Sequence, residues 1–338
     1  MNPPRVASLG VHIVDILARP VATPPMAGGR HEVDEVRITA AGTAAGTSAD
    51  LAKLGFETLV LGAIGDDDLG ELLVQKLRRH GVDTTRLVRK QGLQTSVSIL
   101  LIGHDGERQI VLRLPGANSH LSLDDIDFDA IAEADLLHIG GVDVLGDFAG
   151  EPLVEVMRFA RSRCIPTSLD VLVSCDERTA ERLAPALQYA DYFLPNAEQL
   201  QGMTGHSDPS EAAAALRRLG VGCVVATLGA EGSLVASDRG DAFLPAFDVP
   251  VVDTTGCGDA YAAGFIVGVL SGWSEPAAGW LGTAAAALVV QGLGSDAGIS
   301  DLDSTLAFLA DRAPAEIATL ARSLASEMSV PAGGGDRS

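Results

Sequence analysis

The chain has little lysine, few aromatics and no paired cysteines, and these shortages remove whole classes of function. Of its 338 residues only three are lysine: Lys53, Lys76 and Lys90. None follows a glycine, so there is no GxxxxGK[ST] loop to cradle phosphates. None lies in a VAIK-like strand and no HRD or DFG occurs, which removes a protein-kinase site. The four cysteines (Cys164, Cys175, Cys223, Cys257) form no CxxC pair. A zinc ribbon or disulfide framework is therefore not expected. HExxH and GxSxG are also missing, and with them the commonest zinc-protease and α/β-hydrolase readings. No apolar run approaches the ~18–20 residues of a membrane span. The start, MNPPRVASLG, lacks a basic flank before a long apolar core. No signal peptide is expected, and the protein is expected in the cytoplasm. Lys and Arg number 24 against 45 Asp and Glu, a net charge of −21. Such a field repels phosphodiester backbones and argues against a nucleic-acid surface. Any nucleotide phosphate must be met by backbone amides and arginine.

What is present reads as globular: 47% of residues are hydrophobic and 20% charged, enough for a sizeable core. A first strand, Val6–Leu9, leads through Gly10 to Asp15. A Pro/Gly-rich loop (Arg19–Arg30) and an alternating strand, Glu32–Thr39, follow. Ala40–Thr47 reads as a small-residue loop opening a helix, Ser48–Leu54, that Gly55 closes. A strand (Thr58–Ala63) and a helix (Leu69–His80) come next. Then TSVSILLIG, the turn HDGE and RQIVLRL predict a β-hairpin with Asp105-Gly106 at its tip. Paired with the Glu32–Thr39 strand, it is expected to form a small lid. From Leu136 onward strands are predicted at Leu136–Ile139, Thr167–Leu169, Tyr192–Pro195, Cys223–Leu228 and Val249–Val252, with helices between. That rhythm predicts a mostly parallel sheet covered on both faces. Gly232–Ala236 and Asp241–Leu244 read as an antiparallel edge hairpin. One domain over residues 1–328 is expected, with lid segments near 12–40 and 94–116 and a disordered tail at 329–338.

The segment Asp248–Leu270, DVPVVDTTGCGDAYAAGFIVGVL, carries the chemistry. A short β run ends at Asp253. Thr254 and Thr255 lead into Gly256-Cys257-Gly258-Asp259, and an apolar helix follows. Glycines allow a tight turn and close approach of backbone to a ligand. Amides at a helix start favour an anion there. Asp259, in the first turn, is placed to act as a general base for a hydroxyl. Read alone, the segment also fits an ordinary junction with a capping aspartate. A dinucleotide GxGxx[GA] fingerprint fails at Tyr261.

DTTGCGDAYAAGF resembles the DTTGAGDAF signature of the ribokinase-like (PfkB) carbohydrate kinase family. Weaker elements agree in order: GVHIVD (Gly10–Asp15), AGTAAGTSADLAKLG (Ala41–Gly55), GAIGDDDLG (Gly62–Gly70), Gly116-Ala117-Asn118, LPNAEQLQGMTG (Leu194–Gly205) and TLGAEG (Thr227–Gly232). The resemblance spans roughly residues 5–310. It implies a three-layer α/β/α fold with a β lid, and ATP-dependent transfer of a phosphoryl group to a hydroxyl of a sugar or nucleoside. It implies Asp259 as base and Gly256, Cys257 and Gly258 as the anion hole. Asp15, Gly42 and Gly46 fall on the substrate side. Asn196, Thr227, Gly229, Gly232 and Thr283 fall on the nucleotide side. Asp253 and Thr255 match positions tied to a monovalent cation, K⁺. Mg²⁺ is implied as cofactor, and a homodimer through the lid as assembly. No nucleic-acid or membrane partner is implied.

This chain departs from the family pattern in places. Ala41 and Gly46 replace the usual first glycine and the asparagine of GGxxxN, so the substrate is expected to differ from ribose. Gln199 stands where NxxE has glutamate, with Glu198 beside it. Thr283 replaces a common asparagine, and Cys257 an alanine. A non-catalytic sensor of the same fold and a dinucleotide oxidoreductase are the rival readings. Elsewhere, His12 is read as pocket lining or strand filler, and His138 as a core histidine. His104 is expected in solvent, and Asp66–Asp68 as an acidic helix start. One of Arg108 and Arg113 on the lid is a candidate to face a phosphorylated substrate.

Overall fold

The computed structural model describes residues 3–21, 32–104, 106 and 108–328. Asp105 of the hairpin tip, the Arg108 side chain, most of the Pro/Gly-rich loop and the expected tail at 329–338 lie outside the described residues.

The chain runs β1 (Arg5–Gly10), β2 (Ile13–Arg19), β3 (Glu35–Ala41), α1 (Thr43–Lys53), β4 (Glu57–Gly65), α2 (Asp68–Arg79) and β5 (Asp83–Lys90). Then come β6 (Val97–Ile102), β7 (Arg108–Leu114), α3 (Phe128–Ala132), β8 (Leu136–Gly140), α4 (Glu151–Ser162), β9 (Thr167–Leu169), α5 (Glu177–Leu187) and β10 (Tyr192–Phe193). It closes with α6 (Ala197–Thr204), α7 (Pro209–Arg218), β11 (Cys223–Thr227), β12 (Ser233–Ser237), β13 (Gly240–Leu244), α8 (Cys257–Leu270), α9 (Glu275–Val289), α10 (Leu302–Arg312) and α11 (Ala315–Met328).

Nine strands form one sheet in the order β13-β12-β11-β10-β9-β8-β1-β4-β5. Pairing is parallel from β5 to β11, and the β12–β13 hairpin is antiparallel at the edge. Alternate residues of β1 face opposite ways, as the pleat demands. Val6 joins a cluster with α8, α9 and α10, while Ala7 and Leu9 join one with α4, α5 and α6. The result is the expected three-layer α/β/α architecture. The lid is a second sheet, β3-β2-β6-β7.

Four expectations are corrected. Helix α1 starts at Thr43, not Ser48, because its first turns are packed in the interior, where Ala44 and Ala45 favour helix. Residues 249–252 form no strand; the Val252 and Asp253 amides bond to the Val290 carbonyl at the end of α9. Pro250 also has no N–H for a ladder. In the lid, β2 separates β3 from the hairpin. Strand β5, rich in polar residues at the sheet edge, was not expected at all.

Candidate active site

The parallel strands share one direction, so their carboxyl ends lie on one side of the sheet, the usual ligand side in open α/β sheets. Gly10 and Gly140 end β1 and β8, Asp170 follows β9, Asn196 follows β10, and Thr227 ends β11. Asn196 and Thr227 form a parallel bridge.

Helix α8 begins on this side, next to α1. Its cap, Gly256, has φ 85°, a left-handed conformation that penalises any Cβ. A Cβ there would also lie 2.4 Å from Ser295 Cα. Cys257 N–H turns back to the Thr254 carbonyl at 3.3 Å. Gly258 N–H has no acceptor among the described residues, and the space where its side chain would be is open. Orphan amides of this kind suit an anion.

Asp259 sits in that first turn and meets a second helix start. A Cβ added to Gly46 would lie 2.2 Å from Asp259 Oδ2. Thr47 Oγ1 donates to the Asp259 carbonyl at 3.4 Å. Gly46 thus leaves the room the carboxylate occupies. Helix α1, like α8, starts at a glycine with no side-chain cap; Gly42 has φ 88° and fits against the Val11 carbonyl.

Across the lid, register aligns Thr39, Asp15, Ser98 and Arg113 in one row. Thr39, Asp15 and Ser98 are buried. The Arg113 Nε atom is buried with no partner among the described residues. Burial lowers the Arg113 pKa, opposed by the carboxylate of Asp143. That carboxylate already accepts the Leu172 and Val173 amides at 2.7 and 3.1 Å.

Just before this turn, Asp253 is fully buried. Its oxygens accept Thr255 N–H at 2.9 Å and Gly294 N–H at 2.8 Å. The Thr255 hydroxyl is buried without a partner among the described residues.

On the other rim, Asn196 Oδ1 accepts Gln199 N–H at 2.9 Å while Gln199 Oε1 accepts Asn196 N–H at 2.8 Å. Gln199 Nε2 also donates to the Val171 and Val173 carbonyls at 2.9 and 3.3 Å. An ionised glutamate could donate to neither, which accounts for glutamine at this position. Glu198 is exposed and accepts the Ser174 hydroxyl at 2.5 Å. Gly229 is open to solvent, whereas a Cβ on Gly232 would strike the Leu244 carbonyl. Thr283 is buried on α9, its hydroxyl given to Gly279.

The histidines resolve clearly. His12 is fully buried, with Nδ1 2.8 Å from the Gly10 carbonyl. Its main chain is clamped by the Asn118 side chain. Burial pushes His12 and His138 down to about 4. His138 contacts Ser168 and is the expected core histidine. Beside it, burial raises Asp170 to about 7. Asp67 caps α2 and ties Thr95 to it, so the acidic run is a helix start. Sequence reasoning missed Thr47 and Ser295; no local pattern marks residues that meet the site only through packing.

Residues 4–302 match the model of the pfkB family carbohydrate kinases. The chain belongs to that family. It is a carbohydrate kinase, transferring phosphate from ATP to a sugar-like acceptor. It is 29% identical over 292 residues to 2-dehydro-3-deoxygluconokinase of Bacillus subtilis, covering 83% of this chain and 90% of that protein. With the Thermoproteus tenax 2-dehydro-3-deoxygluconokinase it shares 33% over 244 residues, 70% of this chain and 74% of that one. Ribokinase of Arabidopsis thaliana, solved with ribose and ATP, superposes with a TM-score of 0.76 at 26% identity, covering 91% of this chain and 99% of the other. Among the described residues no helix is long and apolar enough to cross a membrane.

Proposed function

We propose that this carbohydrate kinase phosphorylates a hydroxyl of a sugar-like acceptor that carries an anionic group. The observation that carries the mechanism is the meeting of Asp259 with Gly46 where two uncapped helix starts converge. Asp259 takes the proton of the acceptor hydroxyl. The oxygen attacks the γ-phosphorus, the bond to the β–γ bridging oxygen breaks, and ADP leaves. The amides of Gly256, Cys257 and Gly258 hold the transferring group, so positioning and charge stabilisation dominate. Asp15, Gly42 and Gly46 line the acceptor side. Asn196, Thr227, Gly229 and Gly232 border the nucleotide, with Thr283 supporting from behind.

Arg113 supports the anionic acceptor. It is a half-buried guanidinium in the same lid row as Asp15, and its nearby carboxylate is engaged by amides. A carboxylate or phosphate would satisfy it bidentately. The 2-dehydro-3-deoxygluconokinases among the relatives fit this reading.

A monovalent cation such as K⁺ fits Asp253 and Thr255. A buried carboxylate without a cationic partner among the described residues, beside an orphan hydroxyl, needs compensating charge. Mg²⁺ would neutralise phosphate charge, held chiefly by phosphate oxygens and water, with Glu198 the exposed carboxylate on that rim. The lid's outer face exposes Val36, Ile38, Ile99 and Leu112, and a second copy of the chain is the proposed cover. The cytoplasm, with its ATP, is the proposed compartment.

The test is ADP release with sugar acids, sugar phosphates, neutral sugars and nucleosides, with and without excess EDTA. Turnover is expected with an anionic acceptor and to vanish in EDTA. Equal turnover of the neutral analogue would remove the anionic assignment. A nucleoside preference would redirect the pocket. Sedimentation as a monomer at micromolar concentration would remove the dimer.

A further inference from the structure

The loop after α9 runs Gly292-Leu293-Gly294-Ser295-Asp296-Ala297-Gly298. It is held on two sides. Toward the phosphate turn, Gly294 N–H is bonded to Asp253 and Ser295 lies against Gly256. Toward the lid, Leu293 packs with Leu17, Leu100 and Ile102. Ser295 Oγ donates to the Ala40 carbonyl at 3.0 Å, at the end of β3. Arg37, also on β3, pairs with Asp296 at 2.8 Å.

Asp296 gathers further groups. Its main-chain carbonyl accepts Lys53 Nζ at 2.9 Å, and Lys53 also pairs with buried Asp50 at 3.0 Å. His80, at the end of α2, lies 3.7 Å from the second carboxylate oxygen. Among the described residues, Arg37–Asp296 is the one salt bridge from the lid to the main body. Its guanidinium is about a third exposed, so the pair adds little to global stability. Its position suggests a different use.

We propose that Asp296 is a positioning residue. Through Arg37 it ties the seat of lid strand β3 to the Gly256 turn, so the anion-holding amides come into register when the lid is seated. This rests on the kinase reading of the site. The link is mechanical: close-packed interiors transmit displacement rather than absorb it. A lid strand that shifts drags Asp296, and the adjacent Ser295 bears directly on Gly256.

The experiment compares Arg37→Gln, Asp296→Asn, the double variant and Arg37→Lys in the full chain. Three readings are taken: ADP release, melting temperature and hydrogen exchange at the Thr255 and Gly294 amides. Each single variant is expected to lower kcat about 10-fold, since small misplacements near reacting groups have effects of that order. KM for ATP should stay within about twofold, and the melting temperature within about 2 °C. The double variant should be no worse than the worse single, because both remove one link. Arg37→Lys should recover most of kcat. Exchange at both amides should quicken in Arg37→Gln, although Arg37 bonds to neither. Wild-type kcat in both singles, additive losses, or unchanged exchange at the two amides would each overturn the proposal. A wild-type protein that releases no ADP with any acceptor, yet shows the exchange coupling, would overturn the kinase reading and leave the coupling standing.

Discussion

On the proposed acceptor side of the site some buried polar groups hold nothing; on the proposed nucleotide side they are already paired. His12 Nε2 and the Thr39 hydroxyl are buried without a partner among the described residues. Helices α1 and α8 begin at glycines that cap nothing. By contrast, Asn196 and Gln199 satisfy each other at the start of α6. Asp67, Asp176, Asp208 and Asp301 cap α2, α5, α7 and α10 in the usual way. A buried polar group without a partner costs about 1–3 kcal/mol. That cost is tolerable where a ligand removes it, and pointless elsewhere. On the proposed assignment of the two sides, the first is left for a substrate to complete, while the second is complete beforehand. Substitutions on the first should strike catalysis, and on the second stability.

The sharpest test is Asp259→Asn. Asparagine keeps the size and the place in the helix but takes no proton at neutral pH. We expect kcat to fall about 10²–10⁴-fold, the usual share of a general base, with ATP affinity by calorimetry nearly unchanged. Turnover at the wild-type rate would remove Asp259 as base.

Next is Gly46→Ala. The added methyl would collide with the Asp259 carboxylate. The flexible end of that side chain can move, so the fold should survive, but what moves is the proposed base. A loss of up to about 10²-fold in kcat is expected, as for a misplacement near 1 Å. An unaltered kcat with an unaltered melting temperature would show that the contact is not functional.

Gln199→Glu probes the other rim. A carboxylate there would face the Val171 and Val173 carbonyls as an acceptor only. Stability to urea should drop by about 1–3 kcal/mol at neutral pH, with kcat changed far less. The reverse pattern, stability kept and kcat lost, would erase the contrast between the two sides.

The smallest effect is a pH dependence. Burial raises Asp170 to about 7, so the folded state holds its proton more tightly than the unfolded chain. Its contribution is fully present below the unfolded value near 4, and is lost as pH rises toward 7. Asp170→Asn keeps an acceptor for Gly141 N–H, which sits 2.6 Å away, and does not titrate. It should therefore gain on the wild type between pH 4.5 and 8 in urea unfolding. A pH-independent difference would count against the burial argument. Burial holds His12 and His138 at about 4, which gives slopes of opposite sign, so the wild-type profile should be shallow.

The sequence made the phosphate turn legible because glycines and a following apolar helix are local signals. The layered sheet was legible for the same reason: short apolar runs alternate with amphipathic ones. What was not legible arises between distant residues. Ala40–Thr47 reads as a loop by composition, yet packing turns most of it into helix. Residues 249–252 have strand-like side chains but are claimed by the end of α9. Strand β5 is a polar edge whose partner, β4, decides its state. Gln199 looks like a lost ligand until its two carbonyl partners are seen. That Gly46 makes room for Asp259 is a fact about two helices, written in neither.

Thr47 and Asp259 touch although 212 residues separate them along the chain. A ribosome adds roughly 5–20 residues per second, so the proposed base emerges on the order of 10–40 seconds after the helix it must meet. On the role proposed for Asp259, the nascent polypeptide is chemically silent until that residue emerges, and a chain truncated before it is expected to bind its acceptor without turnover.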